Sequence, residues 1–152
     1  MIVLTEGQVC ARSASKISYP QINSCLTITC VCEHNMFAGG HGVIFPDAEK
    51  GQKSIDPIIA HILLASPIQE RGHLFLIGDI DSWNSSLPHM NSQYRSVAAI
   101  AESFKGCQST IIEIEGYTRN GKDFVDVYFT PTGRCEIRVH NSNVSHKVIN
   151  WS

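Results

Sequence analysis

Cys25 and His41 are the side chains of this sequence whose types and spacing could do chemistry together. The cysteine stands in Asn23-Ser24-Cys25, and the histidine sixteen residues on in Gly39-Gly40-His41-Gly42. A thiol beside an imidazole is the minimal set for nucleophilic acyl chemistry, because the imidazole can take the thiol proton and leave a thiolate. A free cysteine is only a few per cent ionised at neutral pH, so such a pairing decides the rate. The expected class is a cysteine hydrolase, with Cys25 as nucleophile and His41 as general base and then acid. A cysteine by itself is more often a small packing residue, so the case depends on elements that bring the two together.

Leu26-Thr27-Ile28-Thr29-Cys30-Val31-Cys32 reads as a strand, and Val43-Ile44-Phe45, closed by Pro46-Asp47, as another. The turn-rich stretch Glu33 to Gly40 between them makes a hairpin. Staggered pairing would return His41 to the start of the first strand, where Cys25 lies. Gly39, Gly40 and Gly42 are expected to let a substrate backbone approach and the histidine sit on a sharp turn.

Upstream, Met1 to Ala14 reads as an edge strand or a hairpin around Glu6-Gly7. Ser18 to Cys25 reads as a loop or a short strand broken by Pro20. Downstream, Asp56 as N-cap and Pro57 at the first helical position start a helix. Its Ile58, Ile59, Ile62 and Leu63 recur at helical spacing, and Ser66-Pro67 stops it. His73 to Gly78 reads as a strand buried on both faces. Asp81 to Met90 reads as a long loop, with Trp83 as a substrate contact or lid anchor. A second helix is expected over Ser92 to Phe104, with Gly106 just past its end. The last third reads as strands at Thr110–Ile114, Asp123–Phe129 and Cys135–Val139, with a hairpin turn near Gly116 to Lys122. This order predicts an α/β (α+β) fold in one domain over residues 1–152: two main helices flanking a mixed, largely antiparallel β-sheet or β-sandwich.

The formal net charge of −2 gives no electrostatic reason to expect nucleic acid or an anionic membrane. No segment approaches the roughly 20 apolar residues of a membrane span. Met1-Ile2-Val3-Leu4, followed by Glu6, lacks the start of a signal peptide. The six cysteines, at 10, 25, 30, 32, 107 and 135, read as free thiols for a core-sized chain of this kind. All but Cys25 are read as packing residues. Cys30, Cys32 and His34 alternate and could share a strand face with His41 nearby. Their spacing is tighter than in common structural zinc sites, so no metal is expected.

Taken together, Ser24-Cys25 leading an apolar strand, then Gly39-Gly40-His41 leading Val43-Ile44-Phe45-Pro46, is similar to the chemoreceptor glutamine deamidases called CheD. A helix, an apolar strand ending in Ile77-Gly78, a second helix and a C-terminal β region with Tyr128-Phe129 and Thr132-Gly133 extend the resemblance along nearly the whole chain. The deamidating domains of cytotoxic necrotizing factors share that fold. The resemblance implies a protein-glutamine deamidase that hydrolyses a side-chain amide to glutamate and ammonia through a Cys25 thioester, without a cofactor. Its partner would be a protein bearing a reactive glutamine, either a chemoreceptor-type regulator or a host target. It also implies a cytoplasmic protein, or one secreted into a host cell by a route without a classical signal peptide. The family often places a threonine six residues before the cysteine to orient the histidine. Tyr19 stands there, so Ser18 beside it is the candidate hydroxyl, with a backbone carbonyl as the alternative. Ser24, and the N–H groups of Ser24 and Cys25, are candidates for the oxyanion. The rival readings are a non-catalytic CheD-like binding module, and a cysteine protease or transglutaminase using the same pair.

Overall fold

Every residue of Leu26–Cys32 is buried, and a strand with no wet face must be covered from both sides. The computed structural model, which describes residues 1–151, supplies both covers. Its strands are β1 (Ile2–Val3), β2 (Val9–Ser13), β3 (Ile17–Ile22), β4 (Leu26–Cys32), β5 (Met36–Gly42), β6 (Arg71–Gly78), β7 (Gln108–Glu113), β8 (Val125–Thr130), β9 (Arg134–Val139) and β10 (Ser145–Asn150). Its helices are α1 (Ile55–Ala65), α2 (Ile80–Ser86), α3 (Val97–Ser103) and α4 (Glu115–Thr118). One five-stranded sheet runs β1-β3-β8-β9-β10 and the other β2-β5-β4-β6-β7. All neighbouring strands are antiparallel except β1 with β3 and β6 with β7. The expected mixed, largely antiparallel α+β sandwich is the fold of this chain.

The period-2 alternation of β4 sorts its side chains. Cys25 and Val31 face the first sheet, in a core shared with Tyr19, Phe75, Ile77 and Phe129. Leu26, Ile28, Cys30 and Cys32 face the helices, against Ile58, Ile59 and Ile62 of α1 and Ile100 of α3. Each fully buried Ile, Leu or Phe stabilises by about 1.5–3 kcal/mol relative to exposure. The central hairpin is therefore held from two directions.

The elements differ from expectation at informative places. The hairpin exists, but its second strand is β5, so His41 and the glycines lie within a strand and Val43 to Phe45 follow it. The supposed long loop from Asp81 is largely helix: Asp79 caps α2, and Ile80, Trp83 and Leu87 bury a helical stripe. The second main helix is shorter than expected and starts from a Ser96 cap. Gly116 to Lys122 begins with α4 rather than a hairpin turn, and β10 was not foreseen. β3 runs through Pro20; its β1 partner pairs only as far as Ser18, so the missing N–H falls where that side is free. β1 and β2 form no hairpin. They join different sheets, so the Leu4–Gln8 connection crosses from one to the other.

Candidate active site

His41 sits on β5 opposite Thr27 of β4, and its imidazole is fully buried. The Leu4–Gln8 crossing wraps it. Its backbone N–H donates to the Gln8 carbonyl at 3.0 Å, and its carbonyl accepts from Gly7 N–H at 2.7 Å. The ring Nδ1 lies 2.8 Å from the Leu4 carbonyl oxygen. A carbonyl only accepts, so Nδ1 carries the proton and Nε2 holds a lone pair. Nε2 is buried and has no hydrogen-bond partner among the described residues. A buried acceptor left unpaired costs about 1–3 kcal/mol.

Leu4 is thus the group that orients the ring, and Ser18 is not. Ser18 contributes its backbone carbonyl, which accepts from Leu4 N–H at 2.9 Å. Its neighbours Ile17 and Tyr19 face the inter-sheet core, so alternation turns the Ser18 hydroxyl to the other side. At the position of the expected threonine, Tyr19 sets its ring edge to the imidazole, with centroids 6.1 Å apart.

Cys25 immediately precedes β4, two residues before Thr27, and shares the inter-sheet face with His41. That is a diagonal relation, for which about 7–8 Å is usual. The Thr27 hydroxyl between them is turned away, donating to the Ile77 carbonyl at 2.8 Å. No hydrogen bond joins Cys25 to His41 in this resting geometry; catalytic contacts commonly tighten only around substrate. The Ser24-Cys25 segment is fixed from α2 and its N-cap: Trp83 Nε1–H donates to the Ser24 carbonyl at 3.0 Å, and Asp79 N–H to the Cys25 carbonyl at 3.1 Å. The N–H groups of Ser24 and Cys25 donate to no protein acceptor among the described residues, which leaves them free for an oxyanion.

The electrostatics correct one expectation. Burial, with the Glu6 carboxylate nearby, pushes the Cys25 thiol up to about 12, and the Ser24 hydroxyl offsets only part of this. Burial lowers the His41 pKa, against the opposing pull of the Leu4 carbonyl and Glu6. At neutral pH the pair rests as thiol and neutral imidazole, not as the thiolate expected from the pairing. Low dielectric disfavours both ions.

The glycines around His41 serve packing rather than substrate approach or a sharp turn. A Cβ on Gly39 would lie 2.1 Å from the Tyr19 hydroxyl, on Gly40 2.4 Å from Ile58, and on Gly42 2.9 Å from Ile55. Trp83, expected in a loop as a substrate contact or lid anchor, is completely buried in α2. It holds the Ser24 carbonyl, and the signal that could have found it is the 80-83-87 helical spacing. Cys30 and Cys32 line the helix-side core, His34 is exposed in the hairpin turn, and His41 faces the opposite side of the sheet. The alternating set assembles no common site.

Beside Ser24, a cleft of about 360 Å³ opens between Asn23, Asp79, Asp81, Glu115 and Asn120. Asp81, Glu113 and Glu115 bring carboxylate oxygens within 4.8 Å of one another. The Glu113 carboxylate is engaged by the N–H groups of Ile80, Asp81 and Ile114 at 2.9–3.0 Å, capping the starts of α2 and α4. No helix among the described residues is long and apolar enough to cross a membrane. No protein-family model matches this sequence, and no curated protein matches it.

Proposed function

We propose that this chain is a protein-glutamine deamidase of the CheD and necrotizing-factor type, with Cys25 as nucleophile and His41 as its base and acid. The observation that carries this reading is the His41 imidazole: Nδ1–H is held by the Leu4 carbonyl, and Nε2 is buried and unpaired on the face that carries Cys25. An imidazole with one nitrogen tied and the other bare is set to accept a proton there. As the sulfur attacks the carboxamide carbon, the thiol proton passes to Nε2. The N–H groups of Ser24 and Cys25 receive the developing oxyanion, where losing one such donor typically costs about 100- to 1,000-fold. Collapse breaks the C–N bond, and His41 returns its proton to the departing ammonia. Water then attacks the thioester with His41 as base, releasing glutamate and restoring the thiol. The substrate on this reading is a protein, met by a regulator in the cytoplasm or by a secreted effector in a host cell.

The test is intact-mass and peptide mapping of glutamine-containing proteins after incubation with wild type, Cys25→Ala and His41→Ala. Wild type should add about one dalton at a glutamine, amide becoming acid, and release ammonia. Either substitution should lower the rate at least about 1,000-fold. Full activity in Cys25→Ala sinks the mechanism. The non-catalytic reading draws on the 5% exposure of Cys25 and the lack of a hydrogen bond between it and His41; it expects no mass change with any substrate. Neutral-pH alkylation does not separate the two, because a buried thiol with a raised pKa labels slowly in either case.

A further inference from the structure

Cys30 and Cys107 come together from distant parts of the chain, on the face of the second sheet that the candidate active site does not use. Cys30 lies in β4, fully buried beneath the helices. Cys107 lies in the loop between α3 and β7 and is partly exposed. Their sulfurs are 3.8 Å apart, which is contact, against about 2.05 Å in a disulfide. We propose that Cys30 and Cys107 are a reversible dithiol–disulfide pair, with Cys107 as the attacking thiol and small-molecule disulfides as the oxidant.

The loop geometry supports this assignment of roles. Arg71, at the start of β6, donates to the Lys105 carbonyl at 3.0 Å, the Ser66 carbonyl at 2.7 Å and the Leu63 carbonyl at 3.3 Å. It also lies 5.7 Å from the Phe104 ring. A guanidinium is thereby pinned beside the Cys107 loop. The sulfur–sulfur contact with Cys30, together with Arg71, lowers the Cys107 thiol pKa despite partial burial. An accessible thiol beside a cation, touching a second buried thiol, has the arrangement of an attacking and a resolving cysteine. Closing the pair needs less than 2 Å of sulfur approach, and the loop after α3 lies outside any strand and can supply it.

In the first step the Cys107 thiolate attacks a disulfide RS–SR. The S–S bond breaks, a Cys107–SR mixed disulfide forms and RS⁻ leaves. Cys30 then loses its proton, its sulfur attacks the Cys107 sulfur, and the second RS⁻ is expelled. Two protein thiols are oxidised to one disulfide and RS–SR is reduced to two thiols. The new bond staples the loop after α3 to the central strand and closes a long loop, so it restricts the unfolded chain.

The full folded chain would be incubated with oxidised and reduced glutathione at graded ratios, alkylated, and mapped without reduction. The expected product is a linked Cys30–Cys107 peptide pair about 2 Da lighter than the dithiol, reversed by reduced glutathione and accompanied by a higher Tm. Cys107→Ser, at a partly exposed loop position, should fold and leave Cys30 unlinked and unmodified. Cys32→Ser should retain the Cys30–Cys107 link. The proposal is overturned if oxidation stops at a glutathione adduct on Cys107 with Cys30 still free. A Cys30–Cys32 link, or loss of the link in Cys32→Ser, overturns it equally.

Discussion

One proton on His41 decides how the proposed pair would work. It sits on Nδ1 because the Leu4 carbonyl can only accept, so on the deamidase reading Nε2 is the base and the neutral ring the active form. Burial depresses the His41 pKa below its ordinary 6.5. The value of kcat/KM should therefore climb with pH through a midpoint below 6.5 and then stay level, since the thiol itself ionises only near about 12. A standing thiolate–imidazolium pair would instead lose activity as the imidazolium deprotonates; a descending limb between roughly pH 7 and 9 would count against the neutral pair. The same shift has a stability sign. The native state holds His41 neutral, so its contribution is present above the unfolded value and is lost as pH falls below it. Trp83 makes a second residue-scale case, because Trp83→Phe keeps an aromatic ring but removes the donor to the Ser24 carbonyl. Steady-state kinetics should show kcat reduced roughly 10- to 100-fold with KM little changed, and an unchanged kcat would remove Trp83 from the positioning machinery.

The β4–β5 hairpin is where element geometry meets the site. Gly39 on β5 leaves the space that the Tyr19 hydroxyl from β3 fills, and that hydroxyl hydrogen-bonds Thr29 at 2.7 Å and the Ile28 carbonyl at 3.2 Å. The two sheets are thereby registered against each other two residue pairs from His41. Gly39→Ala should cost about 1–3 kcal/mol through overpacking, and Tyr19→Phe about 1 kcal/mol through the lost hydroxyl. The double variant should lose less than the sum, since each change relieves the other's clash or vacancy. Denaturant titrations of the four proteins check this, and strict additivity would mean that Gly39 is not there to admit Tyr19. The hairpin was legible because alternation over Leu26–Cys32 and turn residues after it are local signals. The position of its second strand was not, because Gly39, Gly40 and Gly42 have low intrinsic strand preference, and only packing against Tyr19, Ile55 and Ile58 makes them strand residues.

Across the whole molecule, charge is distributed unevenly, with an acidic cleft beside Ser24. The chain carries a net −2, yet Asp79, Asp81 and Glu115 gather in the cleft beside Ser24. On the deamidase reading, glutamine peptides flanked by Lys or Arg should show a KM several-fold lower than those flanked by Asp or Glu. That gap should shrink as salt is raised toward molar levels, where screening acts within about 3 Å. Equal KM values for the two peptide sets at low salt would mean that the cleft does not meet the substrate.

Residue types and local spacing were enough to single out Cys25 and His41, to predict the strand that Cys25 introduces, and to anticipate a largely antiparallel sandwich with helices on it. Those are properties of alternation, helical period and turn chemistry, written over a few consecutive residues. Tertiary structure alone decided the rest. The Leu4 carbonyl that orients His41 is a backbone atom thirty-seven residues away, and a carbonyl has no sequence signature. The contact of Trp83 with Ser24, and of Cys30 with Cys107, joins segments whose approach depends on the packing of a whole helix layer. The neutral state of the pair follows from burial between two sheets, and burial depth is a sum over the folded chain rather than a feature of any short stretch of it.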